Sequence, residues 1–511
     1  MPPSIPSGAG SEATMTDEQK HILSLLLIPA FASLLAVSSV NVILPVLRED
    51  LAASTSAIQW VVSGYALVFG VLLVAAGRAG DVFGRGHLFV AGLILFGLGS
   101  LGSGLAPTIA GVNAARVLMG VGSGLLNPQV SGTIQQYFTG NTRGRAFGIF
   151  GGIIGVSVAV GPVMAGAFVT LLGPSWGWRA SFLVNVPITL VVVCAARRIL
   201  PESAWHGTAG RTGADRPADP GRERPHRRWA GVDLDPVGIV LLAGSTLLVM
   251  APFVTTGTSS RRWLMLPAAG LTLAAWAVWE AVYKRRGRAP MVDLALFAHR
   301  SFANGCLIIA LYFLGSAAVW LIIAQYLQAG LGVSAMASGS IGILAALTSA
   351  VVAPLVGRHV LRVGRAMVVV GLLVSLSGLA ATMLIVHLNA TAGLSHWWMM
   401  GTLSLLGLGQ GLIVSPNQTL TLVEVPLRYA GTAGGVVQTG QRIGTSIGVT
   451  AISSIAFTVS ARSGWDRAFQ LSFLAIMLTV VAALLVAVVD MLVARRAAPP
   501  PAGRGPVRSG G

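Results

Sequence analysis

The chain has 511 residues, of which 54% are hydrophobic and only 10% charged, a balance that excludes an ordinary soluble domain and fits a polytopic membrane protein. Its formal net charge of +17 comes from arginines scattered between apolar runs, with no basic face and no aromatic RNA-binding pattern, so the expected partners are a lipid bilayer and a small molecule, not nucleic acid. The two cysteines, Cys194 and Cys306, both lie in apolar runs, which excludes a disulfide framework and a Cys/His metal set.

Residues 1–21 are polar and read as an N-terminal tail. The first apolar run, 22–45, is long and lacks a small-residue cleavage site, so it reads as a membrane helix and not as a removable leader. Further runs near the 20 residues that cross a bilayer follow at 57–76, 88–106, 109–131, 146–171 and 181–196. Residues 197–233, rich in Arg, Pro, Gly and Asp, read as a disordered cytoplasmic linker. A pair of runs at 234–254 and 263–283 comes next, then a surface segment at 284–301 that includes the amphipathic stretch Pro290 to Arg300. Six more runs, at 302–328, 335–356, 366–388, 396–422, 431–456 and 468–494, precede a tail at 495–511.

The predicted architecture is therefore all-α, with a six-helix bundle at 22–196, an inserted helix pair at 234–283 and a second six-helix bundle at 302–494, fourteen transmembrane helices in all. An even number places both termini on one side. The loops on that side hold most of the 34 lysines and arginines, among them Arg78, Arg85, Arg197, Arg198, Lys284, Arg358 and Arg365, which makes it cytoplasmic.

An internal duplication supports the two-bundle reading. Gly77-Arg78-Ala79-Gly80-Asp81-Val82-Phe83-Gly84-Arg85, between the second and third runs, returns as Gly357-Arg358-His359-Val360-Leu361-Arg362-Val363-Gly364-Arg365 between the tenth and eleventh. Glycines permit a tight turn close to a neighbouring helix, and the arginines hold it at the cytoplasmic surface. Arg145, Gly148, Gly151, Gly152 and Gly161 likewise match Arg428, Gly431, Gly434, Gly435 and Gly444 at one constant offset.

With these residues in view, the chain resembles the major facilitator superfamily, and more closely its fourteen-helix drug:proton antiporter branch. Four N-terminal stretches carry the likeness: Gly77 to Arg85; Arg116 to Gly122; Gly161-Pro162-Val-Met-Ala-Gly166; and Trp176-Gly-Trp-Arg179 through Asn185-Val-Pro187. Gln438-Thr-Gly-Gln441-Arg442-Ile-Gly444 adds a C-terminal match. The resemblance implies a monomeric, cofactor-free exporter that alternates between inward- and outward-open states, with protons as the coupling ion. It makes Gly77, Asp81, Gly84 and Arg85 a conformational latch and Gly161, Pro162 and Gly166 a helix-packing motif. Two positions depart from the family pattern. Ala36 stands where the first helix usually carries an aspartate, and Leu361 stands where the first loop copy has Asp81.

Polar residues inside apolar runs are expensive unless they face water or a partner, on the order of 3 kcal/mol for a mid-helix arginine. Arg116 and Arg442 therefore either face a wet cavity, where they would hold an anionic group, or are satisfied by carbonyls and neighbouring amides. Gln410 and Asn417 in the twelfth run, with Gln438 and Gln441 in the thirteenth, either line the same cavity or pair between helices. None of the 17 acidic residues falls at mid-membrane depth, which leaves Glu424 and Asp81, both cytoplasmic, nearest the translocation path, with Glu424 the best remaining proton site. No nucleophile and base, metal set or phosphate loop supports an enzyme. Export of amphipathic molecules is the leading expectation; uncoupled passage of a polar metabolite is the alternative.

Overall fold

The computed structural model describes residues 15–207, 235–254 and 260–497. The ends of the expected tails, 1–14 and 498–511, and all of the expected linker beyond residue 207 lie outside the described residues. Regular structure among the described residues is helical throughout: α1 Asp17–Ser38, α2 Val40–Asp50, α3 Thr55–Phe83, α4 Arg85–Leu105, α5 Ile109–Tyr137, α6 Gly140–Leu183, α7 Asn185–Ile199, α8 Glu202–Trp205, α9 Pro236–Val254, α10 Met265–Arg285, α11 Arg300–Gln325, α12 Ala335–Ser340, α13 Ile343–Gly357, α14 Val360–Val363, α15 Ala366–Ala392, α16 Met399–Leu422 and α17 Ala430–Ala497.

Local chemistry explains where these helices start. The hydroxyls of Thr16, Ser54 and Thr108 accept from the backbone N–H groups of Gln19, Ala57 and Gly111, satisfying donors that the first turn leaves free. Between α3 and α4 the chain turns at Gly84, whose φ of 103° is open to glycine and strained for other residues.

Twelve described helical stretches are long and apolar enough to cross a membrane. Two of them, Gly140–Ile199 and Leu427–Val493, run for 60 and 67 residues. At about 1.5 Å per residue each far exceeds a hydrocarbon core of roughly 30 Å. Both are interrupted by one glycine outside helical geometry, Gly173 at φ 80° and Gly464 at φ 80°. The chain doubles back there. Gly177 lies directly against the backbone of Val169 and Phe168, and the rings of Phe457 and Trp465 meet at 6.0 Å; a straight helix would hold such pairs about 12 Å apart.

Helices surrounded by lipid gain nothing hydrophobic from meeting one another, so small residues that let backbones touch decide where they pack. Gly92 and Gly122 seat α4 on α5, and Gly444 and Gly448 seat α17 on α11. A further set joins the N-terminal and C-terminal halves. Gly77 of α3 rests on the carbonyl of Gly431, Gly144 and Gly357 touch backbone to backbone, and Gly148 and Gly152 lie on Ala353 and Ala350 of α13. The duplicated glycines of the fifth and thirteenth runs are largely these interface residues. Gly161 instead packs within its own half, against Ser38 and Ser39 where α1 gives way to α2, and Gly166 faces open space. Helix α6 passes Pro162 without leaving helical geometry. At the interface the close packing is carried by Gly148 and Gly152, roughly two and a half to three and a half turns before Gly161, in the stretch of α6 that runs alongside α13.

Candidate functional site

The first loop copy is buried between the halves. Asp81 sits in the last turn of α3 and Arg85 opens α4, four residues on, so the turn at Gly84 brings their side chains together. Arg85 Nη2 and Asp81 Oδ1 form an ion pair at 2.9 Å, with side-chain exposures of only 5% and 0%. Arg85 Nη1 also donates to the carbonyl of Gly132 at 2.9 Å, and Nη2 to the carbonyl of Leu427 at 2.9 Å. Asp81 in turn accepts from the N–H groups of Gly431 at 3.0 Å and Thr432 at 2.9 Å. A carboxylate from one half thus caps the start of α17 in the other, where free N–H groups and the helix dipole favour negative charge.

The second loop copy is neutralised differently. Leu361 occupies the Asp81 position and is exposed, and Arg365 instead pairs with Asp490 of α17 at 2.7 Å. Arg365 also donates to Asn417 Oδ1 at 2.6 Å and to the Ser301 carbonyl at 2.7 Å, and Asn304 Nδ2 donates to Asp490 Oδ1 at 2.7 Å. All of these residues belong to the C-terminal half. Asp490 was missed as a partner; the sequence signal for it was an arginine in a matched loop with no local acid, plus one aspartate in the last apolar run.

Between the halves lies a small cavity of about 40 Å³ whose polar walls are Asn127, Gln418, Gln438, Gln441 and Arg442 and whose apolar walls include Phe150, Ile154 and Ile309. Gln438 and Arg442 are one turn apart on α17, so both reach it. The Arg442 guanidinium stacks on Phe69 at 4.3 Å and, among the described residues, has no carboxylate partner. On the loop side, Gln418 and Gln438 both donate to Ser131 Oγ, at 3.1 and 3.2 Å, which ties the two halves beneath the cavity.

The other expected cavity residues lie elsewhere. Asn417 is turned away to Arg365 and to the Gly305 carbonyl at 2.9 Å, because it stands one position round the helix from Gln418. Gln410 does not reach the cavity walls. Arg116 is 1% exposed and is satisfied locally, its Nε donating to the Val61 carbonyl at 2.9 Å and its Nη1 to the Ala36 carbonyl at 3.4 Å, with the Tyr65 ring 4.2 Å from its guanidinium carbon. Glu424 is exposed in the turn after α16 and lines no part of the cavity. Asn127 was not singled out from the sequence, although an amide inside the fourth apolar run is the same signal that marked Gln438.

Helices of this length, with a buried ion pair and a cavity between two halves, fit a membrane transporter. A family profile described as the Major Facilitator Superfamily matches residues 26–449 and 305–509, and the chain belongs to that family. It is 31% identical over 464 residues to the probable actinorhodin transporter of Streptomyces coelicolor, covering 87% of this chain and 75% of that one. It is 29% identical over 422 residues to the multidrug resistance protein Stp of Mycobacterium tuberculosis (81% and 72% covered). The tetracenomycin C resistance and export protein of Streptomyces glaucescens is 29% identical over 417 residues (80% and 70% covered). Among solved structures, the human organic anion transporter MFSD10 (TETRAN) superposes with a TM-score of 0.62 at 13% identity, covering 93% of this chain and 100% of that one.

Proposed function

We propose that this chain is a secondary exporter of amphipathic small molecules that works by alternating access. The observation that carries the reading is the cavity between the halves, sealed on the loop side by Asp81, Arg85 and Ser131 and lined by Arg442, which has no carboxylate partner among the described residues. The names of the relatives, which concern drug resistance and antibiotic export, support it. In the proposed topology Gly173 and Gly464 each end one crossing and start another, giving fourteen crossings with both termini cytoplasmic. Residues 22–196 and 302–494 are the two bundles, and 234–283 is the inserted pair.

In this reading Gly77, Asp81, Gly84 and Arg85 form the latch that holds the cytoplasmic side shut, which is the outward-facing state. Substrate binds beside Gln438, Gln441 and Arg442. Arg442, the one charged residue on the cavity walls among the described residues, leaves the cavity positive, which favours neutral or anionic solutes over lipophilic cations. Protons drive the exchange by analogy with the family. Uncoupled passage is the second reading, favoured by the lack of any carboxylate on the cavity walls among the described residues. Transport of a matched cationic and anionic pair in proteoliposomes, with and without a pH gradient, separates these readings. Preference for the anion that is lost in Arg442→Gln supports the proposal; preference for the cation overturns the substrate class, and indifference to the gradient overturns the coupling.

A further inference from the structure

The inserted helices α9 and α10 carry a buried acid pair that the transport reading does not use. Asp235 precedes α9 with a φ of 48°, a left-handed conformation that costs a non-glycine residue energy and persists only where the surroundings enforce it. Its Oδ1 accepts from Gly238 N at 2.9 Å and from Trp279 Nε1 at 2.7 Å. Glu280 of α10 accepts on Oε1 from Val292 N at 3.3 Å. The two residues are 0% and 1% exposed, and their carboxyl groups come close to each other over Gly238. Gly238 makes room for the encounter, since a Cβ there would meet both Asp235 Oδ2 and Glu280 Oε1.

Each carboxyl has one oxygen satisfied and one orphaned. Among the described residues, Asp235 Oδ2, Glu280 Oε2 and the buried Trp276 Nε1 all lack a partner. Neither acid has an ion-pair partner among the described residues. The charged and titratable groups packed around them are engaged with others. Lys284 of α10 binds Asp293 at 2.7 Å, Tyr429 donates to the same carboxylate at 3.4 Å, Arg78 of α3 donates to the Ala289 carbonyl at 3.4 Å, and Arg288 lies over the Tyr283 ring. A surface hollow of about 340 Å³, bordered by Lys284, Arg285 and Asp293, reaches Glu280 and gives a route for protons.

We propose that Asp235 and Glu280 hold a single proton between them and that this pair is a protonation site through which pH acts on the contact between the two halves. Two buried carboxylates brought this close with no counter-charge beside them do not both stay charged. One proton turns an acceptor facing an acceptor into an O–H donating to O⁻, among the strongest hydrogen bonds available. Loss of the proton leaves two like charges in place and drives α9 from α10. The link to transport is short: Trp276, Met291 and Val292 pack in one cluster with Val74 of α3 and Val436 of α17, and those two helices carry Asp81 and Thr432 of the latch.

The effect on transport rests on the export reading; the shared proton does not. Infrared difference spectra of the purified full-length protein, titrated with alkali, read the proton directly. The expected result is a C=O band of a buried protonated carboxyl at neutral pH that is lost on alkalinisation and is missing from both Glu280→Gln and Asp235→Asn. Glutamine mimics the protonated acid and asparagine caps a helix as well as aspartate, so both variants keep the fold, which thermal unfolding checks. A band that persists in both variants, or none in the wild type at neutral pH, overturns the proposal. In proteoliposomes, the Glu280→Gln variant transports with a flattened pH profile; an unchanged profile with the band lost overturns the coupling to the halves and leaves the export reading untouched.

Discussion

Asp81 and Thr432 lie in opposite halves of the chain and are joined twice, Thr432 donating to Asp81 Oδ2 through its N–H at 2.9 Å and through its hydroxyl at 3.0 Å. Arg85 occupies the other carboxylate oxygen. Removing one member of a buried pair typically costs about 3–5 kcal/mol, because the other charge stays buried without compensation. Asp81→Asn therefore favours the state open on the loop side. Thiol labelling of a Ser131→Cys reporter, which sits at the contact of Gln418 and Gln438, should rise several-fold in that background. Equal labelling would reduce the loop to a turn.

Arg365 and Asp490 make the corresponding pair inside the C-terminal half, at 2.7 Å and with side chains 7% and 9% exposed. Asp490→Leu alone should lower the unfolding temperature of the purified protein markedly. Combining it with Arg365→Met should restore most of the loss, since replacing both partners by apolar groups is often neutral. A double variant no more stable than the worse single one would show that Asn417 and Asn304 require the charges to stay in place.

Gly144 and Gly357 touch backbone to backbone across the halves, and a Cβ on Gly144 would strike the Gly357 carbonyl. Gly144→Val should destabilise the closed interface by about 1–3 kcal/mol, the usual cost of overpacking, and slow net transport. Gly166→Ala is the internal control, because a Cβ at Gly166 meets nothing within 4 Å. A similar loss in Gly166→Ala, where alanine only gains helix propensity, would mean that the interface contact does not set the effect.

On the opposite face, Asp50 at the end of α2 accepts from Trp178 Nε1 at 2.9 Å and Arg179 Nη1 at 2.9 Å, clasping the segment that follows the Gly173 turn. Burial acts to raise its pKa, but hydrogen bonds from Trp178, Arg179 and Ser175 outweigh it and leave the carboxyl below its ordinary value of 3.8. A depressed folded-state pKa gives stability that is fully present above the ordinary value and is lost as pH falls through the depressed one. Wild type should therefore exceed Asp50→Asn in thermal stability at pH values above 3.8, and the two should converge below it. A constant gap through the acid range would assign the effect to packing.

The spacing of apolar runs, the duplicated Gly-Arg loop and the interleaved glycines settled the helical membrane fold and the family, because bilayer thickness and backbone satisfaction act on the chain locally and leave a one-dimensional record. The same holds for Asp81 with Arg85, brought together by the turn at Gly84, and for Gln438 with Arg442, one helical turn apart. Tertiary structure alone decided which inner polar residues face the cavity and which are consumed as struts. Arg116 ends on the carbonyls of Ala36 and Val61, while Arg442 opens on the cavity. Asn417 serves Arg365, while its neighbour Gln418 reaches across to Ser131. Asp490, an aspartate in the last apolar run, finds its partner in Arg365, a residue distant in the chain. Such pairings depend on how each helix is rotated against its neighbours. That rotation is set by contacts between small residues far apart in sequence, and no local pattern records it.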